Sequence, residues 1–330
     1  VTCYTPLKAF LVYDQETRSN SITFCANAQN ILHPLALPCG SCIGCLLDRS
    51  RSWAVRCIHE AQLHKNNCFL TLTFNDSNLS PNASLDKSDF RNFMKRLRKM
   101  FPKRKYGKIS YLMCGEYGDR YSRPHYHCCL FGFDFPDKIL WKTTPDGHKL
   151  YTSSLLQTLW QNQGYCVIGD VTFDSAAYVA RYVTKKIKDK TCRSAYNGRL
   201  EEFSTSSRRP AIGHDWLKKY SSDLTSTGYC VIDGKKVPIP RSYLKKIAEE
   251  YPDIYDRLKI ARESEALLNM NHPDNSRARL NVRYEIQLLK HEKITRSYES
   301  FENSCNEKNL QTKTYDERRL KFLKENCYES

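Results

Sequence analysis

Apolar and amphipathic stretches across residues 67–190 predict an α+β fold: an antiparallel sheet with a ferredoxin-like core and helices packed on it. Two observations carry this expectation. Runs rich in β-branched and aromatic residues alternate with stretches of helical period, in the order strand, helix, strand, strand, helix, strand. A chain of 330 residues is also long enough for two or more compact units, and here the composition changes on either side of that core. The flanks read as an N-terminal Cys-rich module at 1–66 and an accessory, mostly helical C-terminal region at 191–330, with the core at 67–190.

In chain order, residues 50–65 read as a helix because Trp53, Arg56, Cys57 and Glu60 recur at helical spacing. A strand is expected at 68–74. The helix at 87–101 carries Phe90, Phe93, Met94, Leu97, Met100 and Phe101 on one face, which turns Arg91, Lys95 and Arg98 outward. Strands follow at 109–116 and 125–133, the second opening after Pro124. A helix near 153–161, a strand at 166–173 and a helix at 175–188 close the core, with Asp174-Ser175 as the N-cap of the last helix. Beyond residue 190, the Ser-rich stretch 193–210 reads as a loop, and 231–237 as a hairpin turning at Asp233-Gly234. Residues 243–268 and 280–293 are helix-prone, and the last 30 residues are highly charged with few apolar anchors, a composition that favours disorder. With helices on one face, the other face of the sheet is expected to be free to present functional side chains.

The chemistry concentrates in two short strings. His125 and His127 flank Tyr126 on a strand, so both imidazoles point the same way. Two imidazoles aimed at one point can hold a divalent cation, and Glu116 could add a carboxylate oxygen to the same ion. Such a set with open positions suits Lewis-acid activation of a phosphate by Mg2+ or Mn2+. Fifty residues on, Tyr178, Arg181, Tyr182 and Lys185 share one helical face, while Ala176, Val179, Ala180, Val183 and Ile187 share the other. Two phenols on a stripe with a guanidinium and an ammonium fit an encounter with phosphate better than packing. The competing readings are histidines that line a sheet without metal, and half-exposed tyrosines on an ordinary amphipathic helix.

These residues resemble the rolling-circle replication initiators of the HUH endonuclease superfamily, and among them the initiators of microviruses, especially the gokushovirus branch. Three stretches carry the likeness: Phe69-Leu-Thr-Leu-Thr-Phe74, Arg123-Pro-His-Tyr-His127 and Tyr178-Val-Ala-Arg-Tyr-Val-Thr-Lys-Lys186. Gly115-Glu-Tyr-Gly118 resembles the position of the metal-binding glutamate in related circular-virus initiators, and Pro38-Cys-Gly-Ser-Cys-Ile-Gly-Cys45 also looks gokushovirus-like. The resemblance implies a metal-dependent nickase in which one tyrosine attacks the origin strand, forms a 5′-phosphotyrosyl link and frees a 3′-hydroxyl. The second tyrosine later cleaves the regenerated origin so that the displaced strand is joined into a circle. It further implies single-stranded origin DNA, a host DNA polymerase and, because no Walker loop occurs, a host helicase as partners in the host bacterial cytoplasm. The rivals are a non-catalytic, zinc-stabilised nucleic-acid binding protein and an HUH transposase or relaxase.

Net charge is +16, and its distribution is uneven: 34 Lys+Arg against 20 Asp+Glu precede residue 241, and 18 against 16 follow. The densest piece, 91–108, has nine basic residues and no acidic ones. Arg91, Lys95, Arg98, Lys103, Arg104 and Lys105, together with Arg123 and Lys186, are therefore the expected DNA-phosphate contacts. The alternative for such a run is a merely solvated basic face. No apolar stretch long enough to span a membrane occurs, and 15 scattered cysteines without an export signal point to reduced thiols. Cys39, Cys42 and Cys45 have spacing that lets thiolates converge on zinc. Cys3 is the preferred fourth ligand, with His33, His59, Cys25 and Cys57 as alternatives; clustered free thiols and an iron-sulfur cluster are the other readings.

Overall fold

The computed structural model describes residues 3, 6–16, 19–118, 122–184, 196, 198–270, 278–279, 282, 285–286 and 289. The chain divides into two compact units, the smaller drawn from Val1–Arg49 and the larger from Ser50–Asn271. Boundaries expected near 66 and 190 therefore differ from those observed. Within the larger unit, the second half of the first helix and residues 203–258 pack into the same cores as the central sheet or directly beside them.

The small unit holds a three-stranded antiparallel sheet, β1 (Leu7–Asp14), β2 (Ser19–Thr23) and β3 (Ile31–Leu37), in the order β2-β1-β3. Helix α1 (Ile43–Gln62) starts seven residues before the expected helix, so it takes in Cys45.

The large unit is built on a seven-stranded antiparallel sheet in the order β10-β5-β6-β4-β9-β8-β7. Its centre comprises β4 (Asn67–Leu72), β5 (Ser110–Tyr117), β6 (Pro124–Phe131) and β9 (Cys166–Gly169). Period-two alternation sends Cys68, Leu70 and Leu72 of β4 to one face, against Phe93, Met94 and Leu97 of α2 (Lys87–Met100) and Leu156, Leu159 and Trp160 at α4 (Ser154–Leu159). Asp86 caps α2 by accepting from the Ser88 amide. The short α3 (Lys103–Tyr106) leads into β5.

The opposite face is not free, as the layering expectation required. Ala54 and Cys57 of α1 and Ala176 and Val179 of α5 (Phe173–Thr184) pack there on Leu112, Cys114, Cys129 and Phe131. This explains why β6 is buried along nearly its whole length: it has helices on both sides. Helix α5 contacts β10, β5 and β6. The hairpin β7 (Ile139–Thr143) and β8 (Lys149–Thr152) extends the other end of the sheet, and β10 (Phe203–Ser206) adds an edge strand within the stretch expected to be loop.

Three helices follow: α6 (His214–Thr227), which has no counterpart in the sequence reading, α7 (Arg241–Glu250) and α8 (Pro252–Met270). One helix was expected over 243–268, and Pro252 divides it, because proline disfavours helical backbone at the residue before it. Between α6 and α7, β11 (Cys230–Ile232) and β12 (Lys235–Val237) form the expected hairpin, with Asp233 and Gly234 both at positive φ. The expected helix over 280–293 and the charged last 30 residues lie largely or wholly outside the described residues. No helix among the described residues is long and apolar enough to cross a membrane.

Helix α5 is capped one turn earlier than expected. Thr172 Oγ1 accepts from the Ser175 amide at 3.1 Å, and Ser175 Oγ accepts from the Thr172 amide at 2.8 Å, a reciprocal box that removes the cap role from Asp174-Ser175. Thr172→Ala should therefore cost about 1 kcal/mol in urea unfolding, and Asp174→Ala clearly less.

His59 is buried by stacking on Trp216 at 3.5 Å between ring centroids, with Nδ1 at 3.2 Å from the Tyr243 hydroxyl. Burial lowers its pKa from 6.5 to about 4. Above the unfolded value both states hold it neutral and its packing contributes in full. As pH falls from 6.5 towards 4 the unfolded chain takes up the proton first, and stability drops by about 2 kcal/mol between pH 7 and 5. His59→Phe should flatten that part of the stability-against-pH curve; an unchanged slope would contradict the assignment.

Candidate metal and tyrosine site

Register brings the first elements together. In the β5–β6 pair Glu116 lies opposite His125 and Cys114 opposite His127, and in the β4–β6 pair Thr71 lies opposite His127. The three side chains Glu116, His125 and His127 thus share the α5-covered face. Tyr126, between the histidines, points the other way into the α2 side. It is fully buried there, and its hydroxyl accepts from the Asp86 amide at 3.0 Å and donates to Asp89 Oδ2 at 2.7 Å. One strand therefore anchors the basic helix with its even position and builds the site with its odd ones.

Glu116 is 2% exposed, and its Oε1 is the meeting point. His127 Nε2 lies 2.8 Å from it, and the Tyr178 hydroxyl donates to it at 2.7 Å. On the far side of the imidazole, His127 Nδ1 is 3.0 Å from Thr71 Oγ1, and Phe69 stacks on the ring at 5.7 Å. Nε2 donates to the carboxylate, so the Thr71 hydroxyl donates to Nδ1; being both donor and acceptor, it suits the other tautomer equally. Tyr178 sits edge-on to His127 at 5.1 Å.

His125 lies 5.9 Å from His127 between ring centroids, and its Nδ1 is buried without a hydrogen-bond partner. Burial, then the neighbouring His127, lower its pKa, which keeps the ring neutral as a metal ligand must be. Its ring lies over Gly118: a Cβ there would fall 2.4 Å from Cε1 and 2.6 Å from Nε2. Two imidazoles and a carboxylate on one face, one imidazole nitrogen orphaned, form a nitrogen and oxygen donor set that fits Mg2+ or Mn2+. The donors are neighbours without full convergence. Among the described residues, only Cys3, Cys39, Cys42 and Cys45 bring at least three ligand atoms all within 4.8 Å of one another.

The remaining sequence-predicted residues divide. Tyr178 is at the site. Tyr182 and Arg181 lie in α5 on the backbone, but their side chains are outside the described residues, as are Lys185 and Lys186 altogether. Arg123 is bound internally, to the Phe74 carbonyl at 2.9 Å and to Asp76. Arg91, Lys95 and Arg98 stand on α2, which covers the sheet face opposite Tyr178. Lys103, Arg104 and Lys105 precede β5, whose far end carries Glu116 about 20 Å away. These six cations therefore do not line the Glu116 site. Sequence reasoning missed Thr71 and Gly118 as positioning residues, although the Phe69-Leu-Thr-Leu-Thr-Phe74 alternation and the Gly-Glu-Tyr-Gly string contain both.

The chain matches the family model of the replication-associated protein ORF2 group over residues 67–187, a span that includes Glu116, both histidines and both tyrosines. It is 36% identical over 227 residues to the replication-associated protein VP4 of Bdellovibrio phage phiMH2K, covering 67% of this chain and 70% of that one. To the replication-associated protein ORF2 of Spiroplasma virus 4 it is 32% identical over 248 residues, 70% of this chain and 74% of the other. To the replication-associated protein ORF4 of Chlamydia phage 1 it is 33% identical over 222 residues, 65% and 55% of the two chains. No solved structure matches. With over two thirds of two such relatives spanned at this identity, the chain belongs to the family of phage replication-associated proteins.

Proposed function

We propose that this protein initiates rolling-circle replication by nicking single-stranded origin DNA with a tyrosine and later rejoining the displaced strand. The observation that carries the proposal is the Tyr178 hydroxyl at 2.7 Å from a buried carboxylate that also bonds one histidine of the His-x-His pair. A phenol with an ordinary pKa near 10 attacks a phosphodiester poorly unless its proton has an acceptor. Glu116 Oε1 is that acceptor. As the Tyr178 oxygen bonds to phosphorus, its proton passes to Glu116, the bond from phosphorus to the 3′ oxygen breaks, and a 5′-phosphotyrosyl link and a free 3′-hydroxyl result. His125, His127 and Glu116 would hold Mg2+ or Mn2+, which when bound polarises a non-bridging phosphate oxygen. Thr71 fixes the His127 ring, and Gly118 leaves room for His125. Tyr182 is the second nucleophile in this scheme, one turn along α5, with Arg181, Lys185 and Lys186 on or just beyond the same helix as phosphate contacts. The freed 3′-hydroxyl would prime a host DNA polymerase, with a host helicase opening the duplex. The strand order β9-β4-β6-β5, with paired crossover helices on one face, supports the ferredoxin-like HUH reading of the core.

The sheet also supports a path for the strand. Helix α5 contacts only the β10-β5-β6 end, and among the described residues no helix packs on the same face of β4, β9, β8 and β7. Half-buried Thr71, Thr73 and Val167 lead there from His127 towards exposed Lys142 on β7. Tyr165 is 80% exposed and Trp141 55% exposed along this stretch, and bases stack readily on such rings. The open half-sheet, rather than the basic α2, is the surface assigned to DNA.

A labelled single-stranded origin oligonucleotide with Mn2+ should give a covalent protein-DNA adduct, absent in Tyr178→Phe/Tyr182→Phe. His127→Ala should bind the oligonucleotide yet cleave it about 100-fold more slowly or worse. Each single tyrosine variant should retain some cleavage but lose efficient circularisation. An adduct formed by the double variant would refute the tyrosine mechanism.

Tyr165→Ala and Trp141→Ala should each weaken single-stranded DNA binding roughly 5- to 150-fold, the equivalent of about 1–3 kcal/mol per stacked base. Under fluorescence anisotropy at fixed salt, Arg91→Ala/Lys95→Ala should lose less. The reverse ranking would move the strand to α2.

A further inference from the structure

The second cluster of metal-ligating side chains lies in the small unit. Cys3 precedes β1, Cys39 and Cys42 follow β3, and Cys45 is in the first turn of α1. All four sulfurs lie within 4.8 Å of one another. The Cys42 and Cys3 sulfurs are 3.8 Å apart, too far for a disulfide at about 2.05 Å and equal to the edge of a tetrahedron with Zn–S bonds of about 2.3 Å. Two amides aim at the sulfurs, Cys39 N at Cys3 Sγ and Cys42 N at Cys39 Sγ, both at 3.3 Å. Backbone N–H groups so directed stabilise thiolates, the form that binds metal. The rival fourth ligands are accounted for elsewhere: Cys57 is buried in the core beneath α1, His59 is stacked on Trp216, and Cys25 is exposed outside the group. The His33 side chain lies outside the described residues.

The unit needs such a centre. Cys3 and Ala9 are its buried hydrophobic residues among those described, whereas Leu7, Tyr13, Ile22, Phe24 and Leu32 are exposed. A sheet of three short strands with so little burial gains too little from the hydrophobic effect to order itself. We propose that Cys3, Cys39, Cys42 and Cys45 form a closed tetrathiolate zinc site whose metal ties the start of β1, the end of β3 and the start of α1 into one folded unit. Four protein ligands leave no open position, so the role is structural and separate from the nicking chemistry.

Full-length protein purified without chelator should carry one zinc ion per chain by native mass spectrometry and elemental analysis. Cys42→Ser and Cys3→Ser should lose it, and Cys25→Ser should keep it. Cobalt exchanged into the wild-type protein should give the charge-transfer and d–d absorption of a tetrahedral tetrathiolate, a readout that does not depend on the variants folding. A chain without zinc, one with zinc undiminished in Cys3→Ser, or a brown protein containing iron and sulfide would overturn the proposal. None of these readouts involves DNA, so zinc present without nicking would count against the proposed function and leave the zinc site standing.

Discussion

A carboxylate almost wholly removed from water must be met by donors, and Glu116 sets the arrangement of everything around it. Its Oε1 receives Tyr178 from α5 and His127 from β6, so one atom links the helix bearing the tyrosines to the strand bearing the histidines. That linkage requires three things of the fold. β5 and β6 must pair in the register that puts Glu116 opposite His125, α5 must lie on that face, and Thr71 must present its hydroxyl to the back of His127. The Thr172–Ser175 box sets where α5 begins and hence where Tyr178 falls along it.

The same carboxylate has two uses in tension. His127 Nε2 bonds to Glu116, yet Nε2 is the nitrogen that would face a cation, since Nδ1 is held by Thr71. Metal loading must exchange that bond for coordination and move the imidazole proton to Nδ1, a change the Thr71 hydroxyl accommodates by turning from donor to acceptor. A metal-binding carboxylate that keeps its bond to Tyr178 holds the attacking oxygen close to the activated phosphate.

Much of this was legible in the residues. Alternation alone puts His125 and His127 on one face and Tyr126 in the core, and the helical spacing of Ala176, Val179 and Ala180 correctly marks the buried side of α5. The failures concern which layer an element joins. The amphipathic pattern of α2 identified its basic side, but the side of the sheet it occupies follows from crossover handedness. β4-α2-β5 and β6-α4-β9 are crossovers in one sheet, and a common hand places both helices on one face, away from Glu116. That α1 and α5 would cover the other face depends on contacts such as Ser50 to the Ala177 carbonyl, between residues 127 apart in sequence. β10 went unseen because Phe203-Ser-Thr-Ser carries a single large apolar residue; it is a strand because β5 offers it an edge.

The central claim is that Glu116 serves the metal and the phenol together, and calorimetric titration of the DNA-free protein with Mn2+ tests it most directly. The account predicts that Glu116→Gln binds Mn2+ at least about tenfold more weakly than the wild type, whereas Tyr178→Phe binds it with little change. Equal Mn2+ affinity in Glu116→Gln and wild type would contradict it.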